Sequence, residues 1–155
     1  MAEVLFYHLL RQDMEAVLPQ LLERSVARGW RAVVHAPSPE RVAALDDHLW
    51  TFSEESFLPH ASDKDPGAAR EPIVITTELG NPNQAQVRFL VDGAPIPPDA
   101  DAYQRLVLIF DGRDDEAVAA ARVVWKSLKG RDPSAPAVEL SYWQQNDTGR
   151  WERKA

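Results

Sequence analysis

The sequence predicts an α/β sandwich in which a largely parallel sheet lies between layers of helix. Two observations carry this. Short apolar runs at 4–9, 31–36, 73–77, 87–91 and 105–110 alternate with stretches of 3.6-residue periodicity at 14–28, 39–50 and 114–129, the order of strand–helix–strand units. No internal repeat and no long linker interrupts that order, and 155 residues suit one buried core better than two.

Val4 to Leu9 reads as a strand buried on both faces. Asp13 caps a helix over 14–28, with Val17, Leu18, Leu21, Leu22 and Val26 inward and Gly29 as the stop. Pro19 falls inside that span and leaves open a later start near Leu18, with the proline in the first turn. Arg31 to Ala36 is the second strand. Ser38 then caps a helix from Pro39 to about Trp50, burying Val42, Leu45 and Leu49. Residues 52–71 contain Pro59, Pro66 and Gly67 and read as loop. Ile73–Thr77 and Val87–Val91 are strands on either side of Gly80-Asn81-Pro82-Asn83, and a proline-rich connection leads to the apolar strand Arg105–Phe110. Asp114 opens the last helix, which runs to Lys129 and is closed by Gly130 and Pro133. Val138 to Trp143 alternates as a final strand. One domain over 1–145 is expected, with 146–155 a flexible tail.

Composition narrows the function. Hydrophobic residues make up 45% and charged residues 26% of the chain, so a folded globular protein is expected. The absence of cysteine excludes a disulfide framework, a zinc–thiolate site and a thiol nucleophile. No apolar run approaches a membrane span, and the start Met1-Ala2-Glu3-Val4 lacks the basic lead of a signal peptide. A cytoplasmic protein is the expectation. The net charge of -7 argues against strong direct binding to nucleic acid. The charge is uneven, however. Residues 1–121 carry 10 basic and 20 acidic side chains, whereas 122–155 carry 7 basic and 4 acidic. The C-terminal quarter is therefore suited to a negative partner.

The usual chemical motifs are missing. The turn after the first strand, Leu9-Leu10-Arg11-Gln12-Asp13, has no glycine to admit a pyrophosphate, and no GxxxxGK[ST] loop occurs. No cofactor is expected. His8 and His35 fall in strands and read as packed residues. Asp46, Asp47 and His48 are neighbours on a helix, so they diverge by about 100° per residue and cannot share one ion. The acidic run after the strand 105–110 offers a rival, enzymatic reading: Asp111, Asp114 and Asp115 could hold magnesium for phosphotransfer or hydrolysis. Against it, acidic residues also favour the first turn of a helix for capping and dipole reasons. The tail residues Tyr142, Trp143, Arg150, Trp151, Arg153 and Lys154 hint at a nucleic-acid surface, which overall acidity disfavours.

The last helix is more informative. Ala117, Ala121, Val124 and Leu128 form a narrow core stripe. At about 100° per residue, Arg122, Lys126 and Lys129 fall within about 60° of one another on a different face. Trp125 and Val118 lie between the two. An indole edged by cations forms an apolar notch with positive walls, suited to an acidic peptide with an aromatic or aliphatic anchor and a terminal carboxylate.

Several ordered features resemble the chi subunit family of bacterial DNA polymerase III. They are Phe6-Tyr7-x-Leu9; Ala27-x-Gly29-Trp30-Arg31-Ala32-Val33-Val34; Arg41-x-x-x-Leu45-Asp46-x-x-Leu49-Trp50; Glu55-Ser56-Phe57-Leu58-Pro59-His60; and Ala121-Arg122-x-x-Trp125-Lys126. The resemblance covers most of residues 3–130 and weakens in 78–104. It implies a Rossmann-like three-layer sandwich without enzymatic activity or bound nucleotide, acting as an adaptor in the clamp-loader assembly. It also implies binding to the acidic, Phe-ended C-terminal tail of single-stranded-DNA-binding protein, with the clamp loader reached in many bacteria through a small psi subunit. Carried over by position, the tail pocket would comprise Phe57, Arg122, Trp125 and Lys126, with Lys129 and Arg131 supplying further positive charge.

Overall fold

The computed structural model describes residues 2–51, 58–134 and 138–155. Eight strands form one sheet: β1 (Ala2–Leu9), β2 (Ala32–His35), β3 (His60–Ser62), β4 (Ile73–Thr76), β5 (Val87–Val91), β6 (Arg105–Asp111), β7 (Val138–Gln145) and β8 (Trp151–Arg153). Their order is β3-β4-β2-β5-β6-β1-β7-β8. All neighbours are parallel except β7 and β8. The helices are α1 (Met14–Ala27), α2 (Pro39–Thr51) and α3 (Asp115–Lys129).

The two-residue period of the strands sends alternate side chains to opposite cores. On β2, Ala32 and Val34 join Leu18, Leu22 and Leu45 of α1 and α2, while Val33 joins Phe6, Leu106 and Ala121 of α3 on the other face. The product is the expected α/β sandwich of Rossmann-like type, helices on both sides of a mostly parallel sheet. From the neighbouring strands β1 and β6 the chain leaves in opposite directions across the sheet, toward β2 and β7, so the carboxyl ends of those two strands face a crevice between α1 and α3.

One open alternative closes, and two local expectations change. Helix α1 begins at Met14, which leaves Pro19 in its interior. A proline there has no N–H for the carbonyl of Glu15. His48 of α2 fills the gap, its Nε2 lying 2.5 Å from Glu15 O. A histidine that sequence alone set aside as a metal ligand thus repairs a neighbouring helix.

The segment 52–71, expected as loop, contains β3 and a short 3-10 turn at Ala68–Arg70. The sequence His60-Ala61-Ser62 has no strand-forming pattern of its own; its conformation comes from pairing with Ile73, Val74 and Ile75 of β4. Buried His60 holds this edge in place, with Nδ1 2.6 Å from Leu58 O and Nε2 3.1 Å from Asp46 Oδ1.

The expected flexible tail, 146–155, instead folds back as a hairpin ending in β8. Asn146 Oδ1 accepts from the amides of Thr148 and Arg150 at 2.9 and 3.0 Å, and Gly149 takes φ 81°. Trp151 then packs on Tyr7, ring centroids 4.6 Å apart. The turn is local, but the packing of Trp151 on Tyr7 joins residues far apart in sequence, which local composition does not show.

Candidate protein-binding site

Asp114 sets the start of α3: its Oδ1 accepts from the amides of Glu116 and Ala117 at 3.0 and 3.4 Å. Gly112 sets the path from β6 into that helix. A Cβ at this position would lie 2.1 Å from the His8 ring and 2.5 Å from Leu9 O. Only glycine permits so close a passage of the two chain segments.

Helix α3 is amphipathic, yet Ala121 is its one buried residue. Val118, Val124, Trp125 and Leu128 are half-buried, and Val123 is 68% exposed. Among the described residues, this face of the helix is left with apolar side chains at the surface. Trp125 stands edge-on to Phe6 of β1 and to Tyr142 of β7, with centroid distances of 5.2 and 5.8 Å. Phe110 of β6 and His8 of β1 extend the aromatic floor: Tyr142 is 6.0 Å from Phe110, and His8 Nδ1 is 2.6 Å from the Tyr142 hydroxyl.

Cations edge this floor. Lys129 Nζ lies 5.4 Å from the Trp125 ring centroid. Arg122 and Lys126 are exposed one turn apart. The charge of Arg122 acts on both His8 and Tyr142. Burial chiefly, and Arg122 next, hold His8 below the ordinary histidine range, while Asp111 opposes them. Burial raises the Tyr142 phenol against the pull of Arg122.

Of the residues singled out from sequence, Arg122, Trp125, Lys126 and Lys129 share this end of α3. Arg131 is half-buried, its Nη1 has no hydrogen-bond partner, and among the described residues it makes no cation–π contact with Trp125, unlike Lys129. Phe57 lies outside the described residues. The sequence reading missed Phe6, His8, Phe110 and Tyr142. Alternation along Phe6/His8 and Leu140/Tyr142 was the available signal, but only the parallel pairing of β1 with β6 and β7 puts those positions side by side.

Two of the three acidic residues of the enzymatic reading, Asp111 and Asp114, are engaged otherwise. Asp111 Oδ1 accepts from the Arg113 amide at 2.9 Å and from its Nε at 3.0 Å, contacts that hold the Asp111 carboxyl below its ordinary range. Arg113 also reaches Asp13 at 2.6 Å. Asp114 is the helix cap. Among the described residues, no group of three or more His, Asp or Glu could hold a metal ion.

The turn after β1, where a dinucleotide fold presents amides to phosphate, is also filled from within. The amides of Leu10, Arg11 and Gln12 converge on Gln145 Oε1 at 3.0, 3.0 and 3.2 Å, and Gln145 Nε2 donates to Gln12 Oε1. Gln145 is buried.

A family model described as DNA polymerase III chi subunit, HolC, matches residues 1–135. The chain is similar to a Rickettsia prowazekii protein named "Probable DNA polymerase III subunit chi", 28% identical over 117 residues that cover 72% of this chain and 71% of the relative. It is also similar to a Pseudomonas aeruginosa protein named "DNA polymerase III subunit chi", 23% identical over 111 residues that cover 70% and 78% of the two chains. With a family match over residues 1–135 that runs from β1 through β6 and α3, this chain belongs to the DNA polymerase III chi subunit family.

Proposed function

We propose that this chain is a non-catalytic replication adaptor of the cytoplasm. In this reading it grips the acidic, Phe-ended C-terminal tail of single-stranded-DNA-binding protein and links it to the clamp loader, through a psi subunit where one is present. Membership of a family of polymerase subunits supports the assembly. The observation that carries the tail reading is the half-covered Trp125, set on Phe6 and Tyr142 and edged by exposed Arg122 and Lys126. The tail's terminal ring would lie against Trp125, with Phe57 as a further wall, and its carboxylates would pair with Arg122, Lys126 and Lys129. Arg131 would add long-range attraction only.

The test is a fluorescence titration of the full chain with an acidic peptide ending in phenylalanine. Saturable binding that weakens with salt is expected, because the charge pairs are at the surface. Arg122→Ala should cost about 1–3 kcal/mol of binding free energy. A peptide that binds equally well without its final phenylalanine would remove the proposal.

A further inference from the structure

On the sheet face opposite α3, the C-terminal end of α1 and strands β1, β5 and β6 enclose a groove of about 470 Å³. Its floor is apolar and includes Leu21, Phe89 and Val107. Its rim is cationic: Arg24 and Arg28 come from α1 and Arg105 from β6, and no acidic residue lines it.

Local sequence builds this rim. Gly29, at φ 82°, ends α1, with its amide bonded to Val26 O and that of Trp30 to Ser25 O. The turn brings Trp30 beneath two guanidinium groups, with Arg28 and Arg105 at 4.1 and 5.3 Å from the ring centroid. Charge compensation is poor. Among the described residues, neither Arg24 nor Arg28 has a carboxylate within ion-pair distance. Arg105 has a single long contact, 3.4 Å to Glu3, and its Nε is buried without an acceptor. By contrast, Arg41 and Arg113 each bind two carboxylates. In a chain with 24 acidic and 17 basic residues, three arginines around a groove lined by no acidic residue form a local positive field that suits a negative partner.

We infer that this groove is a second docking surface, for an acidic protein segment that places a bulky apolar side chain on the Phe89–Val107 floor. Its carboxylates meet Arg24, Arg28 and Arg105. The aromatic rings here do not favour nucleic acid. Base stacking needs a free ring face, whereas Trp30 already carries two guanidinium groups and Tyr7 is covered by Trp151. An apolar floor with a charged rim matches the anchor-and-rim pattern of peptide recognition. The inference stands apart from the tail reading, because it uses the other face of the sheet.

The probe is a blocked peptide, acetylated and amidated, with aspartates and glutamates around one phenylalanine. It is titrated into the isotopically labelled full chain and followed by amide shifts. Saturable shifts at Tyr7, Arg24 and Trp30 are expected. Affinity should fall about tenfold when Arg24→Gln and Arg28→Gln are combined, and again when the peptide phenylalanine becomes alanine. Both substitutions are at exposed positions, and an unchanged melting temperature verifies the fold. Arg122→Ala should leave these shifts intact. Shifts confined to α3, or no saturation at all, would overturn the inference. So would displacement of the peptide by oligothymidylate, which would reassign the groove to nucleic acid.

Discussion

His8 and Tyr142 are joined by a 2.6 Å contact from imidazole Nδ1 to phenol oxygen, beneath the charge of Arg122 on α3. The pair ties β1 to β7 at the aromatic floor and makes His8 a reporter of what happens to Arg122.

Because Arg122 helps to hold the His8 pKa down, a carboxylate that neutralises Arg122 should let it rise. Linkage then makes binding of an acidic tail peptide tighten as pH falls through the His8 titration range. A histidine-resolved NMR titration with and without peptide measures this directly. In the free chain, Arg122→Ala should also raise the His8 pKa; an unmoved titration would mean that the guanidinium is not where the floor needs it.

Fully buried Arg88 predicts a large stability loss on truncation. Its Nη1 donates to Gly80 O at 2.9 Å and to the Tyr103 hydroxyl at 3.0 Å, and Nη2 donates to Glu78 O at 2.6 Å. Arg88→Ala leaves those acceptors dry and opens a cavity, for a cost of about 4 kcal/mol. Chemical denaturation of the variant against the parent chain tests the figure; a loss under about 1 kcal/mol would contradict this account.

The same arginine fixes the state of His35. Arg88 Nη2 points at His35 Nδ1 at 2.8 Å, and Thr77 O lies 3.1 Å from Nε2, the pattern of a neutral imidazole. Burial first, and Arg88 second, lower the His35 pKa. The unfolded chain therefore binds the proton more readily. Stability from this group is full above about pH 6.5 and is lost as pH falls toward the folded-state value. His35→Gln, which keeps an acceptor, should flatten the melting-temperature profile across that window.

Gly112→Ala should destabilise the fold by about 1–3 kcal/mol, since the added methyl meets the His8 ring and the Leu9 carbonyl together. Thermal melting gives the cost. The His8 ring resonances should shift in the same variant, which separates this clash from a general loss of turn flexibility.

Gln145→Leu should cost about 2–3 kcal/mol, because the amides of Leu10, Arg11 and Gln12 lose a shared acceptor. Hydrogen exchange at those three amides should quicken well before global unfolding.

Local chemistry in the sequence determined the strand–helix alternation, the caps at Asp114 and Ser38, and the basic run on α3. Each depends on residues within one or two turns of one another. The helix reading also brought Arg122, Trp125, Lys126 and Lys129 together, because helical spacing alone fixes their common face. Only tertiary structure decided the rest. Pairing of β1 with β6 and β7 made one aromatic floor from residues more than a hundred positions apart. Strand β3 and the seating of Trp151 on Tyr7 exist through partners that their own sequences do not specify, and Gln145 fills a turn at the other end of the chain. The physical reason is the same throughout: periodicity and capping act over a few residues, whereas sheet order and side-chain satisfaction are settled by which distant segments meet.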